Sequence, residues 1–256
     1  MWIDTHTHLW DERFDEDRKE ILKKLGGKLK YIIEIGVDFQ TSQKAVSLAY
    51  KNDRVFAVVG AHPHDAKDID EFVFKKITDL SKMDKVVGVG EIGLDFFKNY
   101  SPQEIQKKCF VKFLNFAIEV NLPIVLHIRD AYDQVLDILK TEGVPKAGGV
   151  VHSFLSDQHH AKEFLDLNLF LGIGGPVTFK KNSALRETIK KIPIEKIVIE
   201  TDCPYLTPVP KRGYRNEPAY VGYVAQEIAK TKNIPVLDAE EILCENAVAL
   251  FSLPEC

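Results

Sequence analysis

Short apolar runs rich in β-branched residues alternate with amphipathic helical segments along the whole chain. This order constrains the fold more than any other feature. The runs cover 2–8, 31–36, 55–60, 86–91, 123–128, 148–153, 169–173 and 197–201. Helical spacing of apolar residues covers 15–25, 41–50, 103–120, 131–140, 157–167, 184–191, 219–231 and 239–251, with a less regular stretch at 69–81. Such alternation predicts a parallel sheet, because parallel neighbours need a long crossover, usually a helix. Tyr31-Ile-Ile-Glu-Ile-Gly36 and Val55-Phe-Ala-Val-Val-Gly60 are nearly all apolar, as strands buried on both faces must be. Eight βα units in 256 residues predict an α/β chain folded as a (β/α)8 TIM barrel, with 1–256 forming a single domain. A doubly wound open sheet is the competing arrangement. The Pro-rich segment 204–218 is the longest irregular connection and follows the last strand, where long loops tend to carry function.

Composition narrows the partners. The net charge of −4 leaves no broad basic field to hold a polyanion, so any phosphate binding must be local. The four cysteines, at 109, 203, 244 and 256, are scattered without a Cys-x-x-Cys, which argues against a zinc knuckle or a disulfide framework and fits a reducing compartment. The start Met-Trp-Ile-Asp lacks the basic and apolar regions of a signal peptide, and no apolar run approaches 18 residues. A cytoplasmic protein without a membrane span is expected.

Chemistry-bearing residues gather at the ends of the predicted strands. His6 and His8 lie two apart, so their side chains leave a strand on one face. Later strands end at Glu91, His127, His152 and Asp202. In a parallel barrel these ends share one rim, and that rim is where barrel active sites lie. Four imidazoles and two carboxylates suit Zn²⁺ and tolerate Mn²⁺ or other divalent ions. Six donors exceed the needs of one tetrahedral ion, and two ions sharing a carboxylate are the economical arrangement. Paired ions ~3.5–4 Å apart are the usual device for hydrolysing phosphate esters.

Each of these residues also has a structural use. A strand-end His can be a hydrogen-bonded core residue, Glu91 an ion-pair partner and Asp202 a loop cap. Five strand ends carrying donors at once favour the metal site. His62 and His64 sit just past the third strand; His62 is expected to touch substrate or donate a proton, and His64 to be a weaker contact. Arg129 suits a phosphate oxygen, with a salt bridge to Asp130 or Asp133 as the competing use. Arg212 and Arg215 are phosphate-clamp candidates. His159 and His160 read as a solvated helix face, and Cys203 as packing.

Seven segments carry a family resemblance. They are Asp4-Thr-His-Thr-His8, Gly60-Ala-His-Pro-His64, Gly88-Val-Gly-Glu-Ile-Gly-Leu-Asp95, Pro123-Ile-Val-Leu-His-Ile-Arg129, Val151-His-Ser-Phe154, Glu200-Thr-Asp-Cys-Pro-Tyr-Leu206 and Arg212-Gly-Tyr-Arg-Asn-Glu-Pro218. In this order, spanning nearly the whole chain, they resemble the TatD family of metal-dependent deoxyribonucleases, within the amidohydrolase-like metallohydrolase barrels. The resemblance implies a first metal held by His6, His8, Glu91 and Asp202, and a second held by Glu91, His127 and His152, with Glu91 bridging. It implies two divalent ions, zinc, magnesium or manganese, and a metal-activated water that Asp202 orients or deprotonates. Glu91, Asp202 and His62 are then the catalytic set, and His62, His64, Arg129 and Arg212 the substrate contacts. The expected activity is hydrolysis of DNA phosphodiesters, exonucleolytic, on single strands or ends. The same cage could instead serve a small amide, lactone or ester, because the metal ligands do not choose the leaving group. A non-catalytic metal-binding scaffold is the remaining class.

Overall fold

The computed structural model describes residues 1–255. Its strands are β1 (Trp2–Thr7), β2 (Leu29–Ile35), β3 (Val55–Val59), β4 (Val86–Asp95), β5 (Ile124–Arg129), β6 (Gly149–Val151), β7 (Leu169–Ile173) and β8 (Ile197–Ile199). All pair in parallel, in the order of the sequence, as the alternation predicts. The crossover helices are α1 (Arg18–Lys23), α2 (Phe39–Lys51), α3 (Glu71–Leu80), α4 (Gln103–Val120), α5 (Tyr132–Glu142), α6 (Gln158–Asp166) and α7 (Ser183–Lys191). Two more, α8 (Val221–Lys232) and α9 (Val236–Phe251), follow the last strand. The result is a nearly closed TIM barrel, and the open doubly wound sheet is excluded. The irregular stretch 69–81 does form a helix, started by Asp70, whose side chain accepts from Val73 N and so satisfies an orphan N–H of the first turn.

The seam between β8 and β1 closes by specific bonds rather than by a long ladder. His8 N donates to Cys203 O at 3.0 Å, and Asp202 N donates to His6 O at 3.0 Å. Beneath them, Asp4 accepts from Thr201 N at 2.8 Å and from Thr201 Oγ1 at 2.5 Å. Both residues are buried, so these bonds decide whether the seam can form without an unpaired polar group.

Two apolar cores flank the sheet. The larger lies between the strands and the surrounding helices. The smaller fills the barrel, with Ile33, Ile35, Val58, Val125 and Val198 meeting Leu250 and Phe251 of α9 and Leu253 beyond it. α9 packs against this barrel core, and the carboxyl ends of the strands line a separate cavity.

Among the register shifts of the sheet, two insert an extra residue beside the strand ends that bear donors. On β1 the stretch Asp4 to Thr7 faces Ile32 to Glu34, and on β4 the stretch Val89 to Ile92 faces Ile124 to Leu126. Bulges of this kind re-aim side chains and recur beside active sites. One contains His6 and the other contains Glu91.

Some local expectations need correction. β4 runs on to Asp95 instead of ending at Glu91. Cys109 and Cys203 are buried free thiols; Cys256 lies outside the described residues. No helix among the described residues is long and apolar enough to cross a membrane.

Replacing Thr201 by Val removes the hydroxyl that serves both Asp4 and the backbone N of Cys203 in the buried seam. The unfolding free energy should fall by about 1–3 kcal/mol. A urea titration reads this as a lower midpoint at unchanged slope.

Candidate metal centre

Six donor residues from five strand ends meet at the open end of the barrel. His6 lies within β1, with His8 just past it; Glu91 lies within β4 and His127 within β5; His152 follows β6 directly, and Asp202 follows β8. His6 Nε2 and His8 Nε2 are 3.2 Å apart. Two nitrogens bound to one tetrahedral Zn²⁺ at ~2.0 Å are separated by about 3.3 Å, so this spacing is that of ligands to a shared ion. His8 Nε2 is 3.3 Å from Asp202 Oδ1, and His6 Nε2 is 3.4 Å from Glu91 Oε2.

Glu91 reaches in two directions. Its Oε2 faces His6, while its Oε1 lies 2.7 Å from His127 Nδ1, 3.8 Å from His62 Nε2 and 4.0 Å from His152 Nε2. Three overlapping groups could each hold a metal ion: His6, His8 and Glu91; His6, His152 and Asp202; and His62, Glu91 and His127. The donor chemistry and spacing therefore fit a divalent cation. The grouping differs from the expectation in two respects: His152 groups with His6 and Asp202, and His62 stands beside Glu91 and His127.

Two of the imidazoles, His8 and His62, are held from behind by a hydrogen bond that fixes which nitrogen carries the proton. His8 Nδ1 donates to Ile35 O at 3.1 Å, so the proton it sheds on neutralising is the one on Nε2, facing His6 and Asp202. His62 Nδ1 accepts from His64 N at 3.1 Å, which leaves the proton of the neutral ring on Nε2, pointing toward Glu91. His152 Nδ1 lies 2.9 Å from Glu200 Oε1, without the angle of a hydrogen bond. His127 Nε2 lies 3.4 Å from Asp95 Oδ2, and His64 Nε2 is 2.7 Å from the same oxygen.

Burial and charge pull the ionisable groups in opposite directions. Burial disfavours the Glu91 carboxylate, yet hydrogen bonds with His127 and His6 outweigh it and hold the pKa well below the usual range. Asp202 follows the same logic, with His8 and His152 overcoming burial. His62 goes the other way: burial first, and the charge of His127 second, push it well below 6.5, so the ring is neutral. For His152, burial opposes the charged ring, but Glu200, Glu91 and Asp202 outweigh it and carry the pKa up to about 10.

Five of the six donors, all but His6, line a cavity of about 290 Å³ together with Trp10, His62, His64 and Tyr205. Arg129 is exposed at the edge of an adjoining cavity, with its guanidinium 3.9 Å from the Phe97 ring centroid. Its competing salt bridge does not form, and Asp133 meets His160 instead. Arg212 is exposed over Phe179 at 4.2 Å and lines neither cavity. Arg215 is committed elsewhere: both terminal nitrogens bind the Asp17 carboxylate, at 2.9 and 2.5 Å, which ties the loop after β8 to the segment before α1. His160 is not a solvated face, because Ser156 Oγ at 2.8 Å and Asp133 at 3.1 Å hold it; His159 is exposed.

Sequence reasoning missed three acidic residues. Asp95 was within a recognised segment but received no role, and it joins His64 to His127. Glu200 backs His152. Glu34, fully buried, accepts from Thr7 Oγ1, Leu9 N and Trp10 N and so shapes the turn just past His8. Its signal was available, as a lone carboxylate inside the apolar run Tyr31 to Gly36.

A parallel barrel with this donor set at its open end is the frame of a metal-dependent hydrolase. Comparison with known proteins makes the class specific. A family model described as TatD related DNase matches residues 3–252, and the chain belongs to that family. It is 42% identical over 254 residues to YabD of Bacillus subtilis, an uncharacterized metal-dependent hydrolase, covering 99% of this chain and 100% of the relative. It is 33% identical over 234 residues to the 3′-5′ ssDNA/RNA exonuclease TatD of Escherichia fergusonii, covering 89% and 90%. The crystal structure of YjjV, a TatD homolog from Escherichia coli, superposes with a TM-score of 0.93 at 28% identity, covering 99% of this chain and 98% of that one.

With His152 raised to about 10, that ring carries a proton at pH 7 before a cation arrives. Ligands must be deprotonated to bind, so uptake expels protons. Calorimetric titration with Zn²⁺ or Mn²⁺ in two buffers of different ionisation enthalpy should show net proton release at pH 7. Affinity should rise from pH 6 to 9. Binding without release at a pH-independent affinity contradicts the protonated ring.

Proposed function

We propose that this chain is a nuclease that removes nucleotides from the ends of single-stranded DNA. One observation carries the reading beyond a generic hydrolase. His62, neutral and with its proton on Nε2, lines the same cavity as His8, Glu91, His127, His152 and Asp202, so a hydrogen-bond donor for a phosphate oxygen stands beside an anionic cluster. A protonated nitrogen cannot ligate a cation, which favours His62 as a substrate contact over a ligand. The named relative, a 3′-5′ ssDNA/RNA exonuclease, supports the same substrate class.

In this reading His6, His8, Glu91 and Asp202 hold one divalent ion, and Glu91, His127 and His152 a second. When bound, such a pair supplies Lewis acidity and positive charge for a phosphoryl group. The chain does the rest. Asp202, kept ionised at neutral pH, accepts a proton from the attacking water. Oxygen bonds to phosphorus as the bond from phosphorus to the leaving sugar oxygen breaks. His62 Nε2 donates to a non-bridging oxygen, and His64, tied to Asp95, fixes the loop that presents it. Arg129, free of an ion pair with Asp130 or Asp133, meets the next phosphate along the strand. A cavity of about 290 Å³ accommodates a terminal residue rather than a duplex, which favours action at ends.

The purified protein, supplied with Zn²⁺, Mn²⁺ or Mg²⁺ and a 5′-labelled single-stranded oligonucleotide, should release mononucleotides stepwise. Excess chelator should stop the release. Asp202→Asn should lower kcat by about 10²–10⁴-fold, the range of a lost general base. Hydrolysis of N-acyl amino acids or lactones with no cleavage of any oligonucleotide overturns the reading.

A further inference from the structure

The cavity at the metal centre is not a closed cup. A second one, of about 500 Å³, adjoins it, and both are lined by His127, His152, Asp202 and Tyr205. The second cavity passes Arg129, the last residue of β5, and Leu155 and Leu206, in the loops that follow β6 and β8. Its rim carries apolar and aromatic surface: Tyr205 is 47% exposed, Leu155 52% and Leu206 36%.

Tyr205 is held in place from behind. The Arg13 guanidinium lies 4.4 Å from its ring centroid, and Asp11 grips that guanidinium through Nε at 2.8 Å and Nη2 at 2.7 Å. The phenol ring is thus a platform with a fixed cation on one face. Arg129, resting on Phe97, places a second cation in the same cavity.

Aromatic platforms interleaved with cations are what single-stranded nucleic acid needs. Every base has a π-face to stack, and the phosphates between bases meet the cations. In a duplex those faces are already stacked on neighbouring bases. The net charge of −4 makes stacking the more important term, since no broad basic field assists.

We propose that the second cavity is a nucleobase subsite. The base one step inward from the scissile linkage stacks on Tyr205, Leu155 and Leu206 pack around it, and Arg129 takes the phosphate beyond. This rests on the nuclease reading above. It makes the enzyme dependent on an unpaired inner base of any sequence.

The test crosses one substitution with one substrate change. Wild type, Tyr205→Ala and Tyr205→Phe are assayed on a single-stranded oligonucleotide and on its twin with an abasic residue one step inward from the cleaved linkage. For wild type, KM should rise about 10-fold on the abasic twin, the effect of one lost base–aromatic stack. Tyr205→Ala should raise KM by a similar factor on the intact strand, yet leave the abasic twin at its wild-type value. That second result also shows that the variant is folded. Tyr205→Phe should restore the intact strand. Normal cleavage with the two losses multiplying, or no restoration by Phe, overturns the subsite alone. No cleavage of any oligonucleotide by wild type overturns the nuclease reading and the subsite with it.

Discussion

A carboxylate sealed in the mouth of an apolar barrel sets the terms for everything around it. Glu91 is 3% exposed, and an unpartnered charge there would cost several kcal/mol. Four imidazoles, from His6, His62, His127 and His152, approach it within 4.0 Å. Those rings are themselves buried and cannot be left to rotate. A hydrogen bond from His64 N holds His62, Ile35 O holds the neighbouring His8, and Asp95 and Glu200 stand 3.4 and 2.9 Å from the far nitrogens of His127 and His152. For His8 and His62 the group behind the ring therefore decides which nitrogen carries the proton.

The barrel makes this economical. Every donor leaves a strand at the same end, so side chains nearly 200 positions apart need only short reaches to meet. α9 packs against the barrel core, and the strand ends that bear the donors line a cavity of their own. The seam from β8 to β1 brings Asp202 beside His8 through backbone bonds, so closing the sheet and completing the donor set are one event.

The fold was largely legible in the sequence because its signal is periodic. Each strand is buried on both faces and each helix on one, and burial of that kind writes itself into residue order. The six donors were legible because they stand at strand ends, where alternation says which way a side chain leaves. Asp95, Glu200 and Glu34 were not singled out, because a carboxylate that braces a histidine looks like any other acidic residue until its neighbour is known. Arg215 shows the converse. In the sequence it resembled Arg212 as a phosphate clamp, yet Asp17, far away along the chain, takes its guanidinium.

The sequence by itself determined the parallel barrel, the rim on which the chemistry sits and the six groups that converge there. All three follow from local periodicity, which each segment carries alone. Only the tertiary structure decided that Ile35 O holds His8 Nδ1, that His64 N leaves the proton of the neutral His62 ring on Nε2, and that Tyr205 is backed by Arg13. These depend on contacts between residues of different loops, with angles and distances that no spacing along a chain encodes. The extra residues in β1 and β4, beside His6 and Glu91, belong to the same class, since a bulge exists only relative to the strand opposite.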